Sequence, residues 1–271
     1  MIDRRELLAK ARARRLPLAI VEKDYVLGWV LFGLCDLPEL VFKGGTALAK
    51  VYFPEIWRLS EDLDFVSAPQ HWGGLPDRIP RALREVTEHS GIELAIKSGH
   101  ASPYYLQLKL QYTGPLGKNW LKIDVTPEPP IAAVRSVALS RAYSDYPEFR
   151  VRVESLEEIL AEKLRALAER KKARDYYDVW RMRELDVNRS AVARLFAQKL
   201  SVKGTAWRGV SVMFPTDIAE VLKGYWEKEL GRLVYPVPEM DTVLDELCGW
   251  LAWLEETHLP GRRQVVARRP G

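Results

Sequence analysis

The spacing of apolar residues changes near residue 155. Before it, short apolar or alternating runs predict strands that are separated by helical stretches; after it, apolar residues recur at helical spacing and no run predicts a strand. The predicted strands cover residues 40–42, a short segment at 62, 92–97, 104–112 and 121–125. The pattern therefore predicts an α+β fold: a mixed sheet with flanking helices in residues 1–150, followed by an α-helical domain in residues 151–271.

Helical periodicity fills much of the remaining chain. Predicted helices cover most of the first thirty-odd residues, 46–51, 81–89, 155–183, 189–200, 216–230 and 240–257. Ser155 and Glu158 stand three residues apart before an apolar run, as in a capping box, which predicts a helix start at this point. The longest predicted helix therefore opens the second domain.

A glycine pair follows the first predicted strand. Gly44 and Gly45 allow the backbone to turn sharply and to approach a ligand closely. Thr46 then begins a predicted helix, whose first N–H groups have no partner within the helix and carry partial positive charge. Such a turn is a suitable seat for a polyphosphate. A tight turn without a ligand is the simpler alternative.

Two carboxylates lie on the next predicted strand. Asp62 and Asp64 share one face of it because side chains alternate with period two. Two carboxylates side by side are costly unless a cation neutralises them, and Mg²⁺ favours one or two carboxylates together with phosphate oxygens. The alternation therefore predicts a divalent-metal site, with two solvent-facing aspartates as the alternative.

The helix predicted from residue 155 carries a lysine on its apolar face. At about 100° per residue, Lys163 falls among Leu156, Leu160 and Leu167. In a continuous helix, the same face would be extended by three charged residues, Arg170, Arg174 and Asp178. This face could present cations to a ligand. Alternatively, Lys163 extends its ammonium to water and the arginines pair with aspartates of the same helix.

The composition is that of an ordinary globular protein with a mild excess of positive charge. The 271 residues are 47% hydrophobic and 29% charged, and the net charge is +4. Basic residues crowd both ends of the chain: Arg4, Arg5, Lys10, Arg12, Arg14 and Arg15 at the start, and Arg262, Arg263, Arg268 and Arg269 at the end. This distribution permits a nucleic-acid partner without requiring one.

Several classes of protein are disfavoured. Cys35 and Cys248 are far apart in apolar contexts, which favours buried reduced thiols over a disulfide framework or a zinc site. The histidines are scattered, so no Ser/His/Asp or Cys/His arrangement is indicated. No apolar run is long enough to cross a bilayer, and no signal peptide is recognisable. We therefore expect a cytoplasmic protein without a membrane partner.

Four separated segments together resemble a known family. They are EKDY at 22–25, FKGGTAL at 42–48, RLSEDLD at 58–64, and the stretch 158–178, which contains KLRAL and RDYYD. Each is weak alone, but their order and spacing resemble those of the AbiEii/AbiGii toxin family, the nucleotidyltransferase-like toxins of bacterial toxin–antitoxin and phage-abortive systems. The last ninety or so residues show no further resemblance.

The resemblance implies a DNA polymerase β-like nucleotidyltransferase core followed by a helical domain. In such a core, Gly44, Gly45 and Thr46 would hold the triphosphate of an NTP. Asp62 and Asp64 would bind Mg²⁺, with Mn²⁺ as the alternative ion. The chemistry implied is in-line displacement at the α-phosphorus, with pyrophosphate as the leaving group.

The resemblance also assigns later positions. Lys163 and Asp175 would match later functional residues of the family, with the lysine on phosphate. Asp124 fits the third strand carboxylate of the wider superfamily, which can bind metal or orient and deprotonate the attacking hydroxyl, although family members vary at this position. A structural role for Asp124 is the alternative.

Basic and hydroxyl groups are also needed where phosphate oxygens carry charge. The candidates near the motifs are Lys43, Lys50, Arg58, Lys163 and Ser60. Lys50 lies one helical turn beyond Thr46, so whether it reaches the phosphates stays open. Ser60 could donate its hydroxyl to phosphate or cap the turn before Asp62.

The leading hypothesis is an Mg²⁺-dependent enzyme that transfers a nucleotide from an NTP to an RNA acceptor. Some members of the family modify the 3′ end of tRNA, so we expect that acceptor, and we expect a cognate antitoxin as the protein partner. Transfer to a protein hydroxyl would use the same metal site. A non-catalytic nucleotide- or RNA-binding module is the alternative outside enzymes, and the joint presence of Asp62, Asp64 and the glycine pair argues against it.

Overall fold

A computed structural model describes residues 1–53, 58–68 and 74–257 of the chain. The chain forms two compact units. The first comprises Met1–Ile159 and Leu230–Val237; the second comprises Leu160–Glu229 and Pro238–Gly271, of which residues up to 257 are described. The predicted domain boundary at residue 150 stays a prediction.

The first unit contains α1 (Arg4–Arg14), α2 (Leu18–Leu34), α3 (Gly44–Ala47) and α4 (Leu75–Ser90). Asp3 caps α1 by accepting a hydrogen bond from the backbone N–H of Arg5. Pro17, which has no N–H to donate, stands between α1 and α2. Helix α2 is apolar on nearly all sides because it is buried. Helix α3 continues into a π-helical turn, Leu48–Tyr52.

The described residues of the first unit form a seven-stranded mixed sheet. Its strands are β1 (Val41–Lys43), β2 (Asp62–Val66), β3 (Glu93–Ser102), β4 (Tyr105–Gly114), β5 (Gly117–Thr126), β6 (Arg135–Ala138) and β7 (Arg150–Val153). Their order is β3-β4-β5-β2-β1-β7-β6. Strand β2 runs parallel to β5 and β1 runs parallel to β7, while the other neighbours are antiparallel.

The centre of the sheet has one apolar and one polar face. Leu63, Phe65, Ile123 and Val125 are buried and alternate with polar residues along β2 and β5. Helix α2 contacts both strands. Each buried side chain of this size contributes roughly 1.5–3 kcal/mol, and a slip of one residue would turn the aspartates into the core. The register is thereby fixed, and the aspartates project from the opposite face.

The sequence did not predict β6 and β7. Each has four residues and contains arginine, and only the valines of β7 are buried. Alternation over four residues is too short to stand out from a loop. The place of β7 beside β1 also depends on a parallel pairing between residues far apart in the chain, which local patterns do not reveal.

The described part of the second unit is helical. The chain enters it within α5 (Leu156–Glu169), followed by α6 (Ala173–Met182), α7 (Arg189–Val202), α8 (Ile218–Lys223), α9 (Trp226–Leu230), α10 (Met240–Trp250) and α11 (Trp253–Glu256). Its core includes Trp207, which packs edge-on against Phe196 with ring centroids 5.1 Å apart. The predicted α+β class with a helical C-terminal region is confirmed.

The helix predicted over residues 155–183 is interrupted. Helix α5 ends before Arg170 and α6 begins after Lys172, whose backbone is extended with φ −118° and ψ 126°. Lys171 stabilises the end of α5 by donating to the Leu167 carbonyl at 2.6 Å. The single long charged face expected from the sequence is therefore wrong, because a corner separates its two halves.

The capping box at the start of α5 is half formed. Ser155 Oγ accepts a hydrogen bond from the Glu158 N–H at 3.2 Å, as predicted. The Glu158 carboxylate instead accepts hydrogen bonds from the N–H groups of Ile131 and Ala132, at 2.8 and 2.9 Å. It thus anchors the loop that precedes β6 to the helix.

The structure bears on two expectations from composition, the cysteines and the lack of a membrane span. Both cysteines are free, but Cys248 is exposed, so the expected burial is wrong for this thiol. Within the described ranges, no helix has both the length and the apolarity needed to cross a bilayer. The C-terminal basic cluster lies outside the described residues: Arg262, Arg263, Arg268 and Arg269.

Candidate active site

The turn after β1 is shaped by Gly44. Its φ is +76°, in the left-handed region that favours glycine. A Cβ at this position would lie 2.8 Å from Asp64 Oδ2, so any side chain would collide with the carboxylate. Glycine is therefore favoured by the backbone conformation, and a larger residue would also displace the Asp64 carboxylate. Gly45 follows in the first turn of α3.

The three predicted carboxylates share one face of the sheet. Asp64 is the cross-strand partner of Asp124 in the parallel pair β2–β5, and of Lys43 in the antiparallel pair β1–β2. Asp62 projects from the same face because it lies two residues from Asp64. All four residues are partly exposed. The register thus gathers three aspartates and one lysine on the polar face of the central strands.

The surroundings of Asp62 oppose its negative charge. Burial raises the pKa of Asp62, and the neighbouring carboxylates of Glu61 and Asp124 raise it further. Lys122 and Lys23 act in the opposite direction, but they do not cancel the rise. A divalent cation at this carboxylate would reverse the balance.

The donor set fits a cation whose coordination is completed by the substrate. In the described part of the chain, no group of three or more His, Cys, Asp or Glu side chains is placed to hold a metal ion by itself. Mg²⁺ normally binds through one or two carboxylates with water and phosphate oxygens, and Mn²⁺ accepts similar oxygen ligands. Asp62 and Asp64 supply two such carboxylates beside the Gly44 turn.

Two residues that the sequence did not single out hold Asp124. Tyr105 donates its hydroxyl to Asp124 Oδ1 at 2.5 Å, and Gln107 Nε2 donates to the same oxygen at 2.9 Å. Gln107 is the cross-strand partner of Asp124. Burial and the Asp124 charge raise the pKa of Tyr105, so the phenol remains a donor. The alternation of polar residues along β4 was the signal available in the sequence.

The hydroxyls of Thr46 and Ser60 are engaged with each other. Thr46 Oγ1 lies 2.7 Å from Ser60 Oγ and 2.5 Å from the carbonyl oxygen of Asp62. Because a carbonyl only accepts, Thr46 donates its single proton to Asp62, and Ser60 donates to Thr46. Both side chains are buried. The network ties the start of α3 to β2 and so positions the glycine turn.

The EKDY segment connects α2 with elements that carry the site. Lys50 Nζ lies 2.8 Å from Asp24 Oδ1 and 3.0 Å from the Asp24 carbonyl oxygen, and both side chains are buried. Lys23 Nζ lies 3.4 Å from Glu61 Oε1, next to β2. The structure therefore places the Lys50 ammonium against α2, and the EKDY segment joins α2 to the π-helical turn after α3 and to the start of β2.

Arg58 is also held within the protein. Its side chain is buried, and Nη1 donates to the carbonyl of Leu59 at 2.9 Å. The N–H of Leu59 donates to the Leu233 carbonyl at 2.8 Å, so the segment 230–237 of the first unit packs along this stretch. Among the predicted basic ligands of the first unit, Lys43 is the residue that the register places beside Asp64.

Lys163 and Asp175 meet inside the second unit. Lys163 Nζ lies 2.8 Å from Asp175 Oδ1 and 2.8 Å from Asp178 Oδ2, and Arg170 Nε lies 2.9 Å from Asp175 Oδ2. Twelve residues of continuous helix would separate Lys163 from Asp175 by about 18 Å along the axis. The corner between α5 and α6 therefore creates the contact.

Both aspartates of this cluster are buried. Burial raises the pKa of Asp175, but Lys163 and Arg170 outweigh this effect and lower the pKa to about 2. The observed ion pairs differ from those expected from helical spacing, because the partners of Asp175 are Lys163 and Arg170 rather than an arginine one turn away.

The seven-stranded mixed sheet with flanking helices is the fold of nucleotidyltransferase toxins. The family model described as nucleotidyl transferase AbiEii toxin, type IV toxin–antitoxin system, matches residues 34–246. The chain therefore belongs to this family, and the resemblance drawn from its four segments is confirmed. No curated protein matches the chain.

Solved structures share the fold. MenT4, a nucleotidyltransferase toxin from Mycobacterium tuberculosis H37Rv, matches with a TM-score of 0.72 at 22% identity, covering 95% of this chain and 91% of that chain. JHP933 from Helicobacter pylori matches with a TM-score of 0.60 at 18% identity, covering 89% of this chain and 94% of that chain. At these identities the likeness to solved structures shows the fold alone. Membership of the family is shown by the match to the family model.

Proposed function

We propose that this nucleotidyltransferase toxin transfers a nucleotide from an NTP to RNA, at the 3′ end of tRNA, in an Mg²⁺-dependent reaction. One observation carries the proposal: Asp62, Asp64 and Asp124 project from one face of two adjacent parallel strands, against the Gly44 turn. That face offers carboxylates for a metal and a backbone turn for phosphates within one short segment of sheet.

The glycine turn and β2 would bind the nucleotide. Backbone N–H groups at Gly44 and Gly45 would hold the triphosphate, and Lys43 would neutralise part of its charge. Asp62 and Asp64 would hold the divalent ion, which when bound neutralises phosphate oxygens and lowers the pKa of the attacking hydroxyl. The bond from the α-phosphorus to the pyrophosphate oxygen breaks as the bond to the acceptor hydroxyl oxygen forms.

Asp124 would act on the acceptor. Tyr105 and Gln107 both donate to Oδ1, which orients the carboxylate so that Oδ2 can accept the proton of the attacking hydroxyl. The described residues do not group Asp124 with Asp62 and Asp64 as a metal site of three carboxylates, so we assign Asp124 to the acceptor and the other two to the metal. In the second unit, Asp175 and Asp178 hold the Lys163 ammonium, and the role on phosphate that the resemblance gives Lys163 stays a prediction.

The family description supplies the biological setting. A toxin of a toxin–antitoxin system implies a nucleotide substrate and an antitoxin partner. We propose that the antitoxin is encoded by a neighbouring gene, and that its co-expression relieves the growth arrest that the native chain causes and that an Asp62→Ala/Asp64→Ala variant does not cause.

The reaction is tested with purified protein, each labelled NTP in turn, Mg²⁺ and total tRNA. We expect label on tRNA, none with chelator, and none after periodate oxidation of the terminal ribose of the tRNA. The Asp62→Ala/Asp64→Ala variant should be inactive, whereas Asp77→Ala, at an exposed position of α4, should match the native chain. No transfer by the native chain, or equal transfer by the double variant, refutes the proposal. Label on protein alone would support transfer to a protein hydroxyl.

A further inference from the structure

A basic and aromatic strip continues the polar face of the sheet beyond the aspartates. We define the β4–β5 strip as Lys109, Trp120 and Lys122. Along β5, Trp120, Lys122 and Asp124 project from one face because they are two residues apart. Lys122 is the cross-strand partner of Lys109 on β4 and of Asp62 on β2. The strip is therefore continuous with the proposed catalytic carboxylates.

The strip is open to solvent. Lys109 and Lys122 are exposed, and Trp120 is 39% exposed. Strand β5 is paired with β4 on one side and β2 on the other, so this exposure belongs to the sheet face and not to an unpaired edge. Lys109 Nζ lies 4.8 Å from the centroid of the Trp120 ring, a cation–π arrangement. The ring and the two ammonium groups thus form one surface.

A stacking residue, basic residues and a catalytic carboxylate follow one another along the strip, as the binding of a nucleic-acid strand that ends at the catalytic site would require. Trp120 and Asp124 are four residues apart on one strand, about 13 Å. Lys122 lies between them on β5, and Lys109 lies beside Lys122 on β4. Lys122 is close enough to Asp62 to act on its charge. A lone exposed aromatic needs no explanation, but here the aromatic, the cations and the carboxylates follow one another on a single face.

We infer that the β4–β5 strip binds the single-stranded end of the RNA acceptor, an inference that rests on the proposed function. A base near the 3′ end stacks on Trp120, and the phosphates that follow contact Lys109 and Lys122. The terminal hydroxyl is then delivered to Asp124. Stacking on an aromatic side chain beside a track of cations is how proteins bind single strands without reading their sequence.

Binding and transfer are measured separately. Fluorescently labelled total tRNA is titrated with the native chain and with Trp120→Ala, Trp120→Phe and Lys109→Ala/Lys122→Ala at several salt concentrations, without NTP. We expect Trp120→Ala to weaken binding by about tenfold and Trp120→Phe to retain most of it, because phenylalanine can still stack. The lysine variant should reduce the salt slope by about 0.7 for each phosphate that a lysine no longer neutralises. In transfer assays with Trp120→Ala, the KM for tRNA should rise while the KM for the NTP stays constant. The lysine variant is compared in binding alone, because Lys122 also acts on the charge of Asp62.

The controls remove a comparable exposed group elsewhere. Tyr225→Ala and Lys223→Ala, both at exposed positions of the second unit, should bind tRNA like the native chain, and all variants should share its melting temperature. Absence of tRNA binding by the native chain overturns the inference. If the Trp120→Ala variant transfers label to tRNA with an unchanged KM for tRNA, the inference is also overturned, while the proposed function stays intact. Strip-dependent binding without any transfer supports the strip and refutes the proposed reaction.

Discussion

The carboxylates of the central sheet and those of the α5–α6 corner have opposite surroundings. Burial and neighbouring carboxylates raise the pKa of Asp62. Burial acts on Asp175 in the same direction, but Lys163 and Arg170 outweigh it and lower the pKa of Asp175 to about 2. Asp62 and Asp175 are both aspartates, and both were predicted to be functional. The two differ in their neighbours: carboxylates and lysines lie near Asp62, whereas the neighbours that act on Asp175 are cations.

The difference separates two uses of a carboxylate. At Asp62 the protein opposes the negative charge, so the cation that we propose to come with the nucleotide would be favoured there. In the corner, the protein supplies its own cations, and each of the two aspartates binds Lys163 directly. We therefore expect the sheet aspartates to govern transfer, and the corner to govern stability and the position of one ammonium group.

The largest effect should follow removal of charge from β2. Asp62→Asn combined with Asp64→Asn keeps side-chain size and removes both proposed metal ligands, so transfer to tRNA should fall by about a thousandfold or more. The melting temperature should stay constant or rise, because a group whose pKa is raised in the folded state costs stability when it is ionised at neutral pH. Asp77→Asn serves as the control. A fall in stability with retained transfer would reverse the comparison.

The next largest effect should come from Lys163. Lys163→Met removes the cation shared by Asp175 and Asp178, so each of these buried carboxylates loses one ion-pair partner. The free energy of unfolding should fall by about 3–5 kcal/mol, measured by urea unfolding followed through tryptophan fluorescence. Lys223→Met, at an exposed position, should change it by less than about 0.5 kcal/mol. An equal, small change in both variants would show that the corner does not depend on this cation.

The pH dependence of stability should expose the same corner. The pKa of Asp175 is lowered from 3.8 to about 2, so its ionised form stabilises the folded state above pH 3.8, and this contribution is lost as the pH falls toward 2. Its size is about 2 kcal/mol. Urea unfolding from pH 7 to pH 2.5 should show a gap between the native chain and Asp175→Asn that narrows below pH 4. A gap that is independent of pH would exclude this electrostatic origin.

The sheet site could be predicted further than the corner because its information is local. Gly44, Asp62 and Asp64 lie in short segments whose period places them on one face, and the observed register keeps them there. Asp124 needed a pairing sixty residues away in sequence, which the resemblance suggested and the parallel register of β2 and β5 provides.

Predictions that assumed a continuous helix or an unpaired side chain were less accurate. Helical spacing gave Lys163 the correct face but did not reveal the corner, which depends on three residues between α5 and α6. Lys50 had the expected spacing from Thr46, yet its ammonium is held by Asp24 on α2. Such partners come from elements distant in the chain, and periodicity carries no information about them.

The smallest effect should be at the donors that hold Asp124. Tyr105→Phe removes one of the two hydrogen bonds to Oδ1 and leaves that of Gln107. Loss of one such bond costs on the order of 1 kcal/mol, so kcat for transfer should fall by about fivefold. The KM for the NTP should not change, because the glycine turn and β2 are intact. Tyr104→Phe, whose exposed side chain is next in sequence, is the matched control. A change in KM for the NTP with unchanged kcat would place Tyr105 in nucleotide binding and would contradict the assignment of Asp124 to the acceptor hydroxyl.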